Sequence, residues 1–211
     1  MVHPQIMSLQ RSEALVVSHQ KDEQAVNAIS HELSMLQADL PHAPDEVLNE
    51  WLVPYAERLG WPPSPDRSSP PLDRWRGILS GRSLAFWACV RWRREEGPLE
   101  SSELDQKSQQ TLLDLYDAYV RGIPNAYGIE ITDGKQRLIN ALAYVQKHGY
   151  VPSVIVFLES GSRLSVIDGH HRLIAYFMNK DRRFADAIGP RSTEFNATLR
   201  KWIGSCREEN A

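Results

Sequence analysis

The sequence predicts an α+β fold, a small sheet flanked by helices and preceded by a helical N-terminal extension. Three observations predict it. Residues 151–158 and 163–167 are apolar runs separated by Glu159-Ser160-Gly161-Ser162, which reads as two strands joined by a hairpin turn. The second run leads into Asp168-Gly169-His170-His171-Arg172 and then Leu173-Ile174-Ala175-Tyr176, a strand-turn-helix pattern. Most other apolar residues recur every three or four positions, the period of a helix with one buried face.

Taken in order, residues 1–20 show no strong period and read as an arm. Val26, Ile29, Leu33, Leu36 and Leu40 predict a helix over 21–40, ended by Pro41 and Pro44. Asp45 starts a second helix, with Val47, Leu48, Trp51, Leu52, Tyr55 and Leu59 on its apolar side and Gly60 as its stop. Pro54 is expected to kink or end it unless it lies in a first turn. Residues 61–71 contain five prolines and three serines and read as a linker or surface loop. The organisation is therefore a helical extension over 1–60, a linker over 61–71 and an α+β domain over 72–211. The alternation of Leu84, Phe86, Ala88, Val90 and Trp92 favours a strand, with a helix as the alternative. Residues 95–98 read as a turn. A helix follows over 103–121, with Leu112, Leu115, Tyr116, Tyr119 and Val120 inward. Another runs to about His148, capped by Asp133 and stopped by Gly149. A last helix is expected from Ser192 or Thr193, with Phe195, Leu199, Trp202 and Ile203 on one face.

Composition narrows the function classes. The chain has 211 residues, 42% hydrophobic and 24% charged, with a net charge of -3. That charge counts against a duplex-DNA clamp, which needs a basic surplus. Cys89 and Cys206 lie far apart and form no CxxC pair, so a disulfide framework is not expected. No secretory leader and no membrane-length apolar run is evident, so the expectation is a cytoplasmic protein with no membrane partner.

The chemistry concentrates at residues 168–172. The first turn of a helix has N–H groups without partners and a positive dipole end, a ready anion site. Gly169 permits a sharp turn or a close backbone approach. Arg172 offers a planar fork that matches phosphate. Asp168 can cap the helix, hold a metal or act as a base. His170 and His171 point about 100° apart on a helix, which disfavours joint chelation of zinc. One is expected to face inward and the other a cleft. The segment Ile131-Thr132-Asp133-Gly134-Lys135-Gln136-Arg137-Leu138-Ile139 echoes Val166 to Ile174, apolar-x-Asp-Gly-x-x-Arg-Leu-Ile in both.

With its two strands and preceding helix, the motif Asp168-Gly169-His170-His171-Arg172 resembles the ParB/sulfiredoxin-like superfamily, over residues 131–179. The resemblance implies a small mixed sheet with flanking helices. It also implies a nucleotide (ATP, ADP or CTP, with Mg²⁺) whose phosphates meet Gly169, His170, His171 and Arg172. Asp168, His170 and His171 become the catalytic candidates, with Asp168 also a Mg²⁺ ligand. Asp133, Lys135, Arg137, Glu159 and Arg82 form a second tier. His170 replaces the reactive cysteine of sulfiredoxins, which argues against that chemistry. The Arg-Arg doublet of partition clamps and a following helix-turn-helix are not evident.

The leading expectation is phosphoryl transfer or nucleotide hydrolysis, with a small-molecule or protein acceptor left open. One alternative is a metal-dependent ParB-like nuclease, which needs a basic track from Arg74, Arg76, Arg82, Arg91, Arg93 and Arg94. The other is a non-catalytic, nucleotide-responsive or protein-interaction module that uses the N-terminal helices. A homodimer is compatible with each.

Overall fold

The computed structural model describes residues 31–122, 133–181 and 193–206, and the backbone alone of 131–132. The expected arm at 1–20 and residues 21–30 of the expected first helix lie outside the described residues. Helix α1 spans 31–39. It is followed by α2 (Asp45–Val47), a π-helical turn (Leu48–Leu52) and α3 (Val53–Leu59). Then come α4 (Asp73–Ile78), α5 (Leu84–Cys89), β1 (Arg91–Gly97), a 3-10 turn (Ser101–Glu103), α6 (Gln106–Val120) and α7 (Ile131–His148). The chain ends in β2 (Ile155–Ser160), β3 (Arg163–Asp168), α8 (His170–Lys180) and β4 (Leu199–Ser205).

The four strands form one mixed sheet in the order β1-β4-β2-β3. β2 pairs antiparallel with β3 and parallel with β4, and β4 pairs antiparallel with β1. Residues 155–158 are all buried because β2 is covered on both faces. Alternate side chains enter opposite layers, so a doubly covered strand reads as continuous rather than alternating apolar sequence. Ile155 and Phe157 pack with α6, α7 and α8 through Leu115, Val145, Leu173 and Tyr176. Val156 and Leu158 pack the other way, with Leu36, Trp51, Leu52 and Trp87. The molecule is thus three-layered, helices on sheet on helices, and α1–α5 supply one whole layer.

All six tryptophans belong to that N-terminal layer. Trp51 and Trp87 meet edge to face at 4.7 Å. Trp61 donates to Asp39 at 3.0 Å, Trp87 to the Leu79 carbonyl at 3.1 Å and Trp202 of β4 to Glu46 at 2.7 Å, while the buried Nε1 atoms of Trp75 and Trp92 have no hydrogen-bond partner among the described residues. The stretch 61–71 carries no helix or strand, yet core residues from both of its flanks share one cluster.

Four expectations are corrected. The last helix is the strand β4: Leu199, Lys201 and Ile203 share one side and are buried, while Trp202 faces the N-terminal layer. A spacing of four is even, so Leu199 and Ile203 fit a strand face as well as a helix face, and the vacancy between β1 and β2 decided it. The strand expected from Ser83 is the helix α5, because the Ser83 hydroxyl accepts from the Phe86 N–H at 3.2 Å and Leu84 and Trp87 turn inward together. The turn expected at 95–98 is mostly strand, since β1 continues to Gly97 against β4. Asp133 lies inside the first turn of α7 rather than at its cap. Two smaller differences concern α6. It starts at Gln106 because Asp105 caps it, accepting from Ser108 N–H at 2.6 Å, and Val120 is 38% exposed. Pro54 does sit in a first turn, that of α3, where its missing N–H costs no helical bond.

Trp51→Ala should destabilise the protein by about 3–5 kcal/mol, as for other buried tryptophans, measured by urea unfolding. Removal of residues 1–60 should take away α1–α3 and most of one layer's buried contacts, leaving α4 and α5, and abolish cooperative unfolding, read by near-ultraviolet circular dichroism.

Candidate functional site

The site begins where β3 meets α8. Gly169 occupies the N-cap of α8 in the left-handed region (φ 95°), and no side chain caps the helix there. A Cβ at Gly169 would stand 2.7 Å from the Ile155 side chain. Glycine is needed both for the backbone and for the space. The first helical amides of α8 therefore lack the usual side-chain acceptor.

Arg172 is fixed between two carboxylates. One Nη donates to Asp168 at 2.6 Å and the other to Glu50 of the π-helical turn at 3.0 Å. Its side chain is only 17% exposed, and the two contacts take two of its five N–H donors, one on each Nη. Burial pushes the Asp168 carboxyl above its ordinary value, while Arg172 and the Gly169 N–H pull the other way.

Burial lowers His170 to about 4, and the neighbouring His171 adds to it. His171 also falls to about 4, through burial first and then the Arg137 and Arg172 charges. Both imidazoles are neutral at pH 7. The His171 ring stacks on Tyr119 at 5.6 Å, and its buried Nε2 has no hydrogen-bond partner among the described residues.

These groups border a cleft of about 640 Å³, a size that suits a small ligand. Asp168, Gly169, His170, His171 and Arg172 form one wall. Glu50, Trp51, Pro54, Tyr55 and Arg58 come from the π-helical turn and α3, Gly77 and Ile78 from α4, and Arg137 from α7. Arg137 has no carboxylate partner within ion-pair distance among the described residues.

The five central residues are thus together in one cleft, both histidines included. Of the second tier, only Arg137 joins them. Asp133 and Lys135 are exposed on α7. Glu159 is a strand residue near the opposite end of the hairpin from Asp168, where Arg93 grips it at 2.9 and 3.0 Å. Arg82 lies over the Phe86 ring at 4.7 Å and does not border the cleft. The basic residues proposed as a nucleic-acid track are not one surface. Arg93 pairs with Glu95 and Glu159, Arg94 with Glu96, and residues 93 and 94 face opposite sides of β1.

Sequence reasoning missed Glu50, Tyr55, Arg58 and Gly77. Glu50 was one polar residue in a regular amphipathic pattern. Pro54 was the available signal, because a proline inside such a pattern implies an irregular turn before it, and π turns recur at functional sites.

Among the described residues, no three His, Cys, Asp or Glu side chains are grouped to hold a metal. Asp168 and Glu50 flank a guanidinium, so this donor set does not fit a protein-held magnesium ion. No family model, curated protein or solved structure matches this chain.

Two outcomes follow. Gly169→Ala should cost about 1–2 kcal/mol from the positive φ alone, seen as a lower melting temperature. Neutral His170 and His171 stabilise the fold fully above pH 6.5, and that contribution is lost as pH falls towards 4, since the unfolded chain then binds more protons. The loss should be on the order of 2–3 kcal/mol per histidine, partly offset by the raised Asp168. His171→Gln should flatten the fall of melting temperature between pH 6.5 and 4.

Proposed function

We propose that the cleft binds the phosphates of a nucleoside phosphate and works in phosphoryl transfer or hydrolysis, within a domain of the ParB/sulfiredoxin-like kind. The observation that carries the reading is the uncapped N-terminus of α8, opening on a cleft that Arg137 and Arg58 also line. Phosphate oxygens would take the first amides of α8, where the helix dipole favours negative charge. Arg137 would neutralise part of the remaining charge. This chemistry asks mostly for positioning and charge neutralisation.

The role of Arg172 shifts from the one its motif suggests. With its fork closed on Glu50 and Asp168, it holds the loop and cancels two carboxylates that would otherwise repel an anion. Neutral His170 and His171 can each donate one N–H to a phosphate without acid conditions. Asp168 is the candidate base, because burial brings its carboxyl closer to working pH.

Isothermal titration with ATP, ADP, GTP and CTP, with and without magnesium, tests this. Binding of at least one at millimolar concentration or below is expected. Arg137→Ala should weaken it about tenfold, the worth of one charge-assisted hydrogen bond. No binding by any of the four at millimolar concentration rejects the proposal.

A further inference from the structure

The cleft has a second wall that a phosphate alone does not use. Trp51, Pro54, Tyr55 and Arg58 follow one another at helical spacing on a single face. Glu50, at the start of this row, holds Arg172. Arg58 lies eight residues on, about 12 Å away by helical rise. The row therefore leads from the phosphate end of the cleft to a distance that matches the extent of a nucleoside.

At the far end the surface is aromatic and shaped. The Arg58 guanidinium carbon lies 5.3 Å over the Tyr55 ring, and its Nε donates to the Pro54 carbonyl at 2.9 Å. These contacts orient the Arg58 guanidinium along the half-buried Tyr55 ring, with Arg58 itself exposed. α4 contributes Gly77 and Ile78 to the same cleft. A Cβ built on Gly77 meets nothing within 4 Å, so that position borders open space. A flat aromatic and guanidinium pair, in a cleft also bordered by a residue with no side chain, leaves room for a planar ring. Purine and pyrimidine rings stack on tyrosine and on guanidinium planes.

Resting on the phosphate reading above, we propose that the ligand's nucleobase lies against the N-terminal layer, between Tyr55–Arg58 of α3 and Gly77–Ile78 of α4. The N-terminal helices are then half of the ligand site as well as one layer of the core. The base subsite and the phosphate cradle come from opposite ends of the chain, and the Glu50–Arg172 pair fixes their separation.

The test compares ATP with inorganic tripolyphosphate on the full-length protein by isothermal titration. ATP should bind tenfold tighter or more, from one stacked base. Gly77→Leu, which fills the space without touching the phosphate end, should remove that advantage and leave tripolyphosphate affinity within twofold. Tyr55→Ala should do the same. Equal affinity for the two ligands overturns the base subsite and leaves the phosphate reading standing. Variants that weaken both ligands alike also overturn the subsite, since the residues would then act through the fold. Binding of neither ligand overturns both.

Discussion

Arg172 is the joint on which the site depends. Its two carboxylate partners come from different parts of the chain, Asp168 from the end of β3 and Glu50 from the N-terminal layer, 122 residues away. Removing one partner of such a part-buried set leaves a charge poorly compensated, which costs far more than the pair contributes in net stability. The contact thus acts mainly as a specification. It sets where α2 and α3 sit relative to the Gly169 loop and gives the cleft its width. It also sets two carboxylates against the Arg172 charge, while Arg137 and Arg58 line the cleft with no carboxylate ion pair among the described residues.

The sheet supplies the rigidity behind this joint. β2 is buried on both faces, so its side chains fix both helical layers at once. The buried polar contacts have the same effect. Asp105 caps α6 and takes a hydrogen bond from the Ser165 hydroxyl of β3, while the Ser108 hydroxyl accepts from the Val166 N–H at 2.9 Å. Those bonds sit immediately before the loop, which holds the end of β3, and so Asp168, in place.

The two Asp-Gly-x-x-Arg-Leu-Ile segments show how far a motif carries. In the second, Asp168 ends a strand and Gly169 turns the chain with a positive φ. In the first, Asp133 and Gly134 are both inside α7. Gly134 is small for another reason, since a Cβ there would meet the Tyr119 hydroxyl at 2.1 Å. The arginines converge nonetheless: Arg137 and Arg172 border the same cleft, because α7 and α8 pack side by side against the sheet.

The sequence by itself determined the β2–β3 hairpin, the helices α6, α7 and α8, and the loop from Asp168 to Arg172. Each is encoded by neighbours a few residues apart: the Gly161-Ser162 turn, apolar residues at helical spacing, a glycine where only glycine fits. Tertiary structure alone decided that 199–205 is a strand, that 84–89 is a helix, and that Glu159 belongs to Arg93 rather than to the site. It also decided that Glu50, Tyr55, Arg58 and Gly77 share a cleft with Asp168. The physical reason is common to all four. A short apolar run fits more than one period, and a polar side chain on a helix surface carries no mark of what it will face. Both are resolved only when a distant segment supplies the open sheet position, the opposing charge or the far wall.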